Sequence, residues 1–405
     1  PGPRLLTRAV LYRGCEMRKK NPFEYGSGLS AEALVDREEE IAEVISAVEE
    51  GGKLFLIGPR RYGKTSVLKA AQKKATAAGS VVLRFNAEAY ATLEDLMAAI
   101  LAEATAQLKS KLSQANQKVK RLFGRLKPEV TWELESQTFS VKIGAETDPG
   151  DESKQIPLLV EVFNGLERLA SQSGHPVGLM IDEFQKVIEL GGDQAEAQLR
   201  AAIQEHQSIG YVFAGSKTRM LAEMTAEPSR PFYHLGDRLY LKEVPREGFK
   251  KFLIGGFKKG GFRFGDEAVD LILDLAEEVP YNVQQLAHFC WDRLAASEEK
   301  QLTPEVVRAS LDQLLAREDA LYTQLWNQLT SIQQRVLIAL LKERGVEMHS
   351  ARVTRKYGLS PASISRSLKA LQDREVLRAE ESLGLIRLRL INPFFGAWIG
   401  MVGRF

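Results

Sequence analysis

The octapeptide Gly58-Pro59-Arg60-Arg61-Tyr62-Gly63-Lys64-Thr65 constrains this chain more than any other stretch. It satisfies G-x-x-x-x-G-K-[ST] at every fixed position. Gly58 and Gly63 let the backbone wrap so that successive N–H groups converge on an anion. A helix opening at Lys64 adds its positive end to the same spot. Lys64 would bring a mobile ammonium to the β- and γ-phosphates of a nucleotide, and Thr65 would offer a hydroxyl to Mg²⁺. Pro59, Arg60, Arg61, Tyr62 and Ser66 complete the expected cradle. Such a loop works between a buried strand and a helix. Lys53 to Ile57 supplies the apolar strand, and residues 64–78 the helix. The pattern therefore predicts a P-loop α/β core with ATP and Mg²⁺ as ligands.

A second apolar strand, Gly178-Leu179-Met180-Ile181, runs into Asp182-Glu183. Carboxylates at the C-terminal edge of a parallel strand face the ligand crevice. Asp182 is expected to hold Mg²⁺, and Glu183 to act as general base on the attacking water. The pair predicts a Mg-dependent ATPase, slow in turnover. Tyr211-Val212-Phe213-Ala214-Gly215-Ser216 is a further buried strand ending in a hydroxyl. Ser216 is either a sensor of the γ-phosphate or a turn serine. Arg230 either reaches a phosphate, in the same chain or from a neighbouring subunit, or is an ordinary surface arginine.

Strand and helix patterns alternate along the first half. Helices are expected at 36–50 (with Asp36 as N-cap), 93–122, 157–172 and 194–206, and strands at 81–85, 177–181 and 210–214. This alternation predicts a parallel sheet with helices on both faces. Residues 129–144 switch to period two, with Val130, Trp132 and Leu134 and then Phe139, Val141 and Ile143 alternating with polar residues, which predicts a hairpin. From about 245 strands vanish, and helices are expected at 246–257, 266–278, 281–297 and 304–316.

The last 75 residues carry a winged helix-turn-helix pattern. A helix over 331–343 places Ile332, Val336, Leu337, Leu340 and Leu341 on one side. A second runs over about 350–357, and Ser360 caps a third that opens on Pro361. Ile364, Leu368 and Leu371 point inward from it, and a wing pairs Val376-Leu377-Arg378 with Leu385 to Leu390. The segment 331–405 holds 13 Lys+Arg against 6 Asp+Glu, a net +7 that leaves −5 for the remainder of a chain whose total is +2. A basic module on an acidic body suits an anionic partner as well as it suits a solvated face. If the partner is double-stranded DNA, Ser363, Arg366 and Lys369 would meet bases or phosphates, with Arg387 and Arg389 on the backbone. The alternative is a module that packs on the core or holds a protein partner, including another copy of the chain.

Several motifs together resemble the archaeal-type ATPases of the STAND branch of AAA+ related P-loop proteins, near the origin-recognition and helicase-loader ATPases. They are Asn21-Pro22-Phe23, Val35-Asp36-Arg37-Glu38-Glu39-Glu40, the phosphate loop with Ser66, LMIDEFQ, YVFAGS, RPFY, and the ending Ile391-Asn392-Pro393-Phe394-Phe395 with Trp398. The resemblance implies an ATPase core, a helical lid and a winged helix. It also implies that Val35 and Arg37 contact adenine and that Pro280-Tyr281-Asn282 opens a lid helix beside the nucleotide. No arginine stands at the start of that helix to act as a second sensor. The expected divisions are an added or upstream extension over 1–16, a core over 17–245 with a helix-hairpin insert near 105–148, a lid over 246–325 and the winged helix over 326–405. No stretch approaches the ~18 uninterrupted apolar residues of a membrane helix, so no membrane is expected as a partner. Cys15 and Cys290 lack metal-ligand spacing and are expected as free thiols in a reducing cytoplasm.

Overall fold

The computed structural model describes residues 20–26, 29, 34–109, 127–133, 138–144, 155–216, 218–298, 300–382 and 385–402. The expected extension over 1–16, Cys15, and the basic run containing Lys111, Lys118, Lys120 and Arg121 lie outside these residues.

The chain opens with α1 (Glu38–Glu49) and β1 (Lys53–Ile57), then α2 (Lys64–Ala77), β2 (Val81–Asn86) and α3 (Leu93–Lys109). The hairpin β3 (Lys127–Glu133) and β4 (Thr138–Gly144) pairs antiparallel, with Trp132 in register with Phe139. The core continues through α4 (Gln155–Ser173), β5 (Val177–Asp182), α5 (Gln185–Ile203), β6 (Ile209–Gly215), α6 (Thr218–Ala226) and β7 (Asp237–Tyr240). Five strands form one sheet in the order β2-β5-β6-β1-β7, and every pairing is parallel. Parallel strands reached by crossovers need helices on the faces. Here α1 and α2 share a buried cluster with one face through Leu54, Leu56, Val82, Met180 and Val212. The other face packs α3, α4 and α5 through Phe55, Leu83, Leu179 and Phe213. β7 was not anticipated. It is short and exposed at three of its four residues, so it carries no apolar pattern.

Two further departures are instructive. Asp36 does not cap α1. Arg37 occupies the cap position without a side-chain cap bond, and Asp36 sits at φ 52. α5 begins at Gln185, nine residues before the expected start, because the helical run tolerates Gly192 at φ 64 as a kink.

Beyond the sheet come α7 (Arg246–Gly260), β8 (Arg263–Phe264), α8 (Asp266–Leu275), α9 (Pro280–Ala296), β9 (Gln301–Leu302) and α10 (Pro304–Asn327). The two-residue strands β8 and β9 pair parallel, a small exception to the all-helical expectation. Cys290, on α9, is a buried free thiol. Then follow α11 (Ser331–Lys342), α12 (Ala351–Tyr357), α13 (Pro361–Asp373), β10 (Leu377–Ser382), β11 (Leu385–Leu390) and α14 (Pro393–Met401). Ser360 caps α13 by accepting from the Ser363 N–H, and Ile364, Leu368 and Leu371 are buried beneath it. Ile332 faces outward instead, 38% exposed. One apolar core runs continuously from Phe23 through α7–α10 into α11, α13 and α14. It is separate from the two clusters that flank the sheet. Among the described residues, no helix is long and apolar enough to cross a membrane.

Candidate active site

Because all five strands are parallel, their C-terminal ends share one edge, and three of those ends carry the predicted side chains. β1 ends in the phosphate loop. Gly58 must lack a side chain there, since a Cβ would stand 2.9 Å from the Leu241 Cβ just past β7. Gly63 at φ 92 makes the left-handed turn that starts α2, a conformation glycine adopts without steric cost. Lys64 is 4% exposed, and its Nζ donates to the carbonyls of Gly58 (2.8 Å) and Pro59 (3.0 Å). Burial lowers its pKa, against the opposing fields of Glu183, Asp182 and Glu375.

Thr65 Oγ1 donates to Asp182 Oδ2 across 2.6 Å, which brings the two expected metal-holding oxygens together. Burial raises the Asp182 pKa, and the Thr65 bond only partly offsets this. A buried carboxylate beside a hydroxyl is a hard oxygen pair that suits Mg²⁺, which keeps several waters and needs few protein ligands.

Glu183 takes a left-handed backbone at φ 52, directly after β5. Its Oε2 accepts three hydrogen bonds, from Gln185 Nε2 (2.6 Å), Ser216 Oγ (2.9 Å) and Ser216 N (3.2 Å). Burial pushes this carboxyl up, but the Gln185 bond, the Lys64 charge and the Ser216 bonds outweigh it and hold it below the ordinary glutamate range. With three donors on Oε2, no described residue hydrogen-bonds Oε1. Ser216, 4% exposed at the end of β6, thus converges with Glu183.

The remaining loop residues divide. Arg60 Nε contacts Glu375 Oε2 at 2.6 Å and Ser216 Oγ at 3.4 Å, and its Nη2 reaches Glu88 at 3.3 Å. Arg61 stacks over the Tyr281 ring at 4.8 Å, and its carbonyl accepts from the Tyr281 N–H, so α9 does begin beside the loop. Tyr62 is buried, donates to Glu243 at 3.4 Å, and lies under the Arg378 guanidinium. Ser66 Oγ accepts from the Leu29 N–H.

The other expected residues have the following surroundings. The Arg37 guanidinium is buried, bound to Glu40 (2.6 Å) and to the Lys242 carbonyl (2.7 Å), so it ties α1 to the segment after β7. Val35 is half-buried against the apolar core that runs through α7–α10. Arg230 pairs with Glu196, a buried carboxylate on α5. On the winged helix, Arg366 and Lys369 are exposed along α13. Ser363 Oγ lies 2.8 Å from Ser360 Oγ. Arg389 binds Glu380 (2.8 Å) and Glu277 (3.4 Å), and Arg387 donates to the Arg344 carbonyl (2.9 Å).

Sequence reasoning missed Gln185, Glu243, Glu375 and Arg378. Gln185 was legible, two residues past Glu183 in the same motif. Glu375 lies in a polar run 159 positions from Ser216, with nothing in its surroundings to mark it.

Residues 33–214 match the family described as "AAA ATPase domain". Over that segment the chain is similar to AAA ATPase domains. Residues 320–400 match the family described as "Probable winged helix domain". A Walker-type ATPase of Pyrococcus abyssi has a similar fold at TM-score 0.62 and 16% identity, over 93% of this chain and 99% of that one. The ORC2 protein of Aeropyrum pernix in its ADP form superposes at TM-score 0.50 and 14% identity, over 94% and 96%. No curated protein matches the chain. At these identities the likeness speaks for the fold alone. The matched segment contains the phosphate loop, Asp182 and Glu183, and it stops at Ala214, just short of the end of β6 and of Ser216.

Proposed function

We propose that this chain is a Mg-dependent, slowly hydrolysing ATP switch whose winged helix acts on double-stranded DNA. One observation carries the catalytic part: the phosphate loop, the Thr65–Asp182 pair and the Ser216-bound Glu183 meet at one sheet edge. On ATP binding, Lys64 leaves the Gly58 and Pro59 carbonyls for the β- and γ-phosphates. Thr65 and Asp182 would hold Mg²⁺, which when bound neutralises phosphate charge. Glu183 Oε1 takes a proton from the water that attacks the γ-phosphorus, while Ser216 and Gln185 fix the carboxylate through Oε2. Arg60 and Ser216, 3.4 Å apart, would meet the γ-phosphate.

The DNA part rests on α13, whose Arg366 and Lys369 are exposed and without a carboxylate partner among the described residues. A second reading, an assembly scaffold whose winged helix packs on the ATPase core or holds a protein partner, draws support from the Glu375 and Arg378 contacts.

ATP turnover with and without duplex DNA tests the reading, beside Lys64→Ala. That variant should lose nucleotide affinity by about 100-fold, since charge-assisted bonds to phosphate contribute roughly 1.5–3 kcal/mol each. Unchanged affinity would remove the site. DNA that neither binds at low salt nor alters turnover would favour the scaffold.

A further inference from the structure

A cavity of about 810 Å³ opens where the end of α8 meets α11, β11 and α14, with no residue of the phosphate loop in its wall. That volume is the size of a small-molecule site. Its floor is apolar: Leu340 and Leu390 are buried, and Leu341, Leu388 and Ala397 are half-buried beside them. Its walls carry four arginines and three carboxylates. Two of the arginines are neutralised in place. Arg246 binds Asp270 (2.8 Å), Asp274 (2.9 Å) and Glu278 (2.7 Å), and Arg389 binds Glu380 (2.8 Å) and Glu277 (3.4 Å). Arg344 and Arg387 have no carboxylate partner among the described residues, since Glu380, opposite Arg387 across the wing, is bound by Arg378 and Arg389 instead. Arg387 is nonetheless anchored. Its Nε donates to the Arg344 carbonyl at 2.9 Å, and no described residue hydrogen-bonds its two terminal nitrogens. The backbone keeps this pair adjacent: the Leu388 N–H donates to the Gly345 carbonyl at 3.0 Å, and a Cβ on Gly345 would stand 1.8 Å from the Leu388 carbonyl oxygen, so only glycine allows the approach.

We propose that this cavity is a binding site for a small amphipathic monoanion, an alkyl or aryl carboxylate, whose head group Arg387 and Arg344 hold while its apolar body lies on Leu340, Leu341 and Leu388. A guanidinium held through Nε alone presents its terminal nitrogens as a planar fork, which matches a carboxylate through two parallel N–H···O bonds. Because Arg387 is already anchored, little side-chain freedom is lost when the ligand arrives. The charges select a single negative head group. Two arginines without carboxylate partners favour an anion, while Asp274, Glu277 and Glu278 on the α8 side oppose anything that carries several negative charges. A nucleotide phosphate chain or a nucleic-acid backbone is therefore disfavoured here. A cation finds each of those three carboxylates already bound by Arg246 or Arg389. Covering the leucine floor supplies affinity, and the arginine pair supplies the choice of ligand. Neither the ATP site nor a DNA-binding role is needed for it.

The test is calorimetry on the full chain with octanoate and 4-phenylbutyrate, beside octanol and octyltrimethylammonium as neutral and cationic probes with the same alkyl chain as octanoate. At least one carboxylate should bind saturably, once per chain, and about tenfold more tightly than the neutral or cationic probe. Arg387→Gln should weaken carboxylate binding by about tenfold, the loss expected for a charge-assisted pair, and leave octanol unchanged. Arg387→Lys should fall between, since it keeps the charge and loses the fork. Arg344 sits at φ 54, so Arg344→Asn removes the charge with a residue that tolerates the left-handed backbone, and it too should weaken only the carboxylates. Ala397→Phe fills the cavity and should abolish binding of all four probes. Arg344 is exposed and Arg387 half-buried, so the arginine variants keep the fold, which circular dichroism and Tm check. No saturable binding of either carboxylate, an equal affinity for octanol, or carboxylate affinities unchanged by both Arg387→Gln and Arg344→Asn would overturn the site. Carboxylate binding that survives Ala397→Phe in a folded chain would place the ligand elsewhere and overturn it as well.

Discussion

Glu183→Gln separates nucleotide binding from chemistry, and the structure says why. All three donors to this side chain converge on Oε2. A glutamine can place its amide oxygen there and keep Gln185 and both Ser216 donors bound. Its NH₂ then replaces Oε1 and meets the attacking water as a donor, so it cannot take the proton. General-base catalysis contributes about 10²–10⁴-fold, or about 3–5 kcal/mol of barrier at 1.36 kcal/mol per decade. Single-turnover hydrolysis should fall by that factor, while equilibrium binding of the non-hydrolysable β,γ-imido analogue of ATP changes less than about threefold. Stability should fall by only about 1 kcal/mol, because charged acceptors become neutral while the cost of burying the carboxylate is relieved. That corresponds to a Tm loss of about 2–4 °C for a domain of this size. Single-turnover rates in the variant within threefold of the parent would refute Glu183 as base, whatever happens to affinity.

Asp182→Asn should raise the Mg²⁺ concentration for half-maximal turnover by about tenfold, because the buried charge beside Thr65 is lost; an unchanged Mg²⁺ titration would place the ion elsewhere. In the winged helix, Lys356, Tyr357 and Arg352 hold the Glu343 carboxyl down at about 2. A depressed folded-state pKa stabilises above the unfolded glutamate range and is lost as pH falls toward 2. Glu343→Gln should therefore flatten the acid arm of stability over that window, and denaturant titrations from pH 5 to pH 2 that overlay the parent would contradict it. Replacing Arg366 and Lys369 with glutamine should weaken duplex retention and reduce the salt slope by about 1.8 if each meets a phosphate. DNA-free ATPase activity should stay level, and a shifted basal rate with no DNA affinity would support the packing reading instead.

The sequence by itself determined the elements whose chemistry is local. A phosphate loop is a contiguous backbone device, so Gly58 to Thr65, the strand before it and the helix after it were legible together, and both flanking elements formed where expected. The apolar strand ending in Asp182-Glu183 was legible for the same reason, and so was α13, because Ser360, Pro361 and the spacing of Ile364, Leu368 and Leu371 are a helix start and a helix face. What lay beyond local pattern was decided by packing. β7 carries no periodic signal, since an exposed edge strand buries nothing. Arg37 and Arg230 had no readable partners until tertiary structure set Glu40 and Glu196 beside them. Ser216 became a ligand of Glu183 only because β6 lies next to β5. Glu375 is the extreme case: a glutamate in a polar run looks solvated, and only the docking of α13 against the loop turns it into a partner of Arg60. Spacing along a chain encodes which groups share a helix, strand or turn, whereas the charge that faces a given side chain across the fold depends on how whole elements pack.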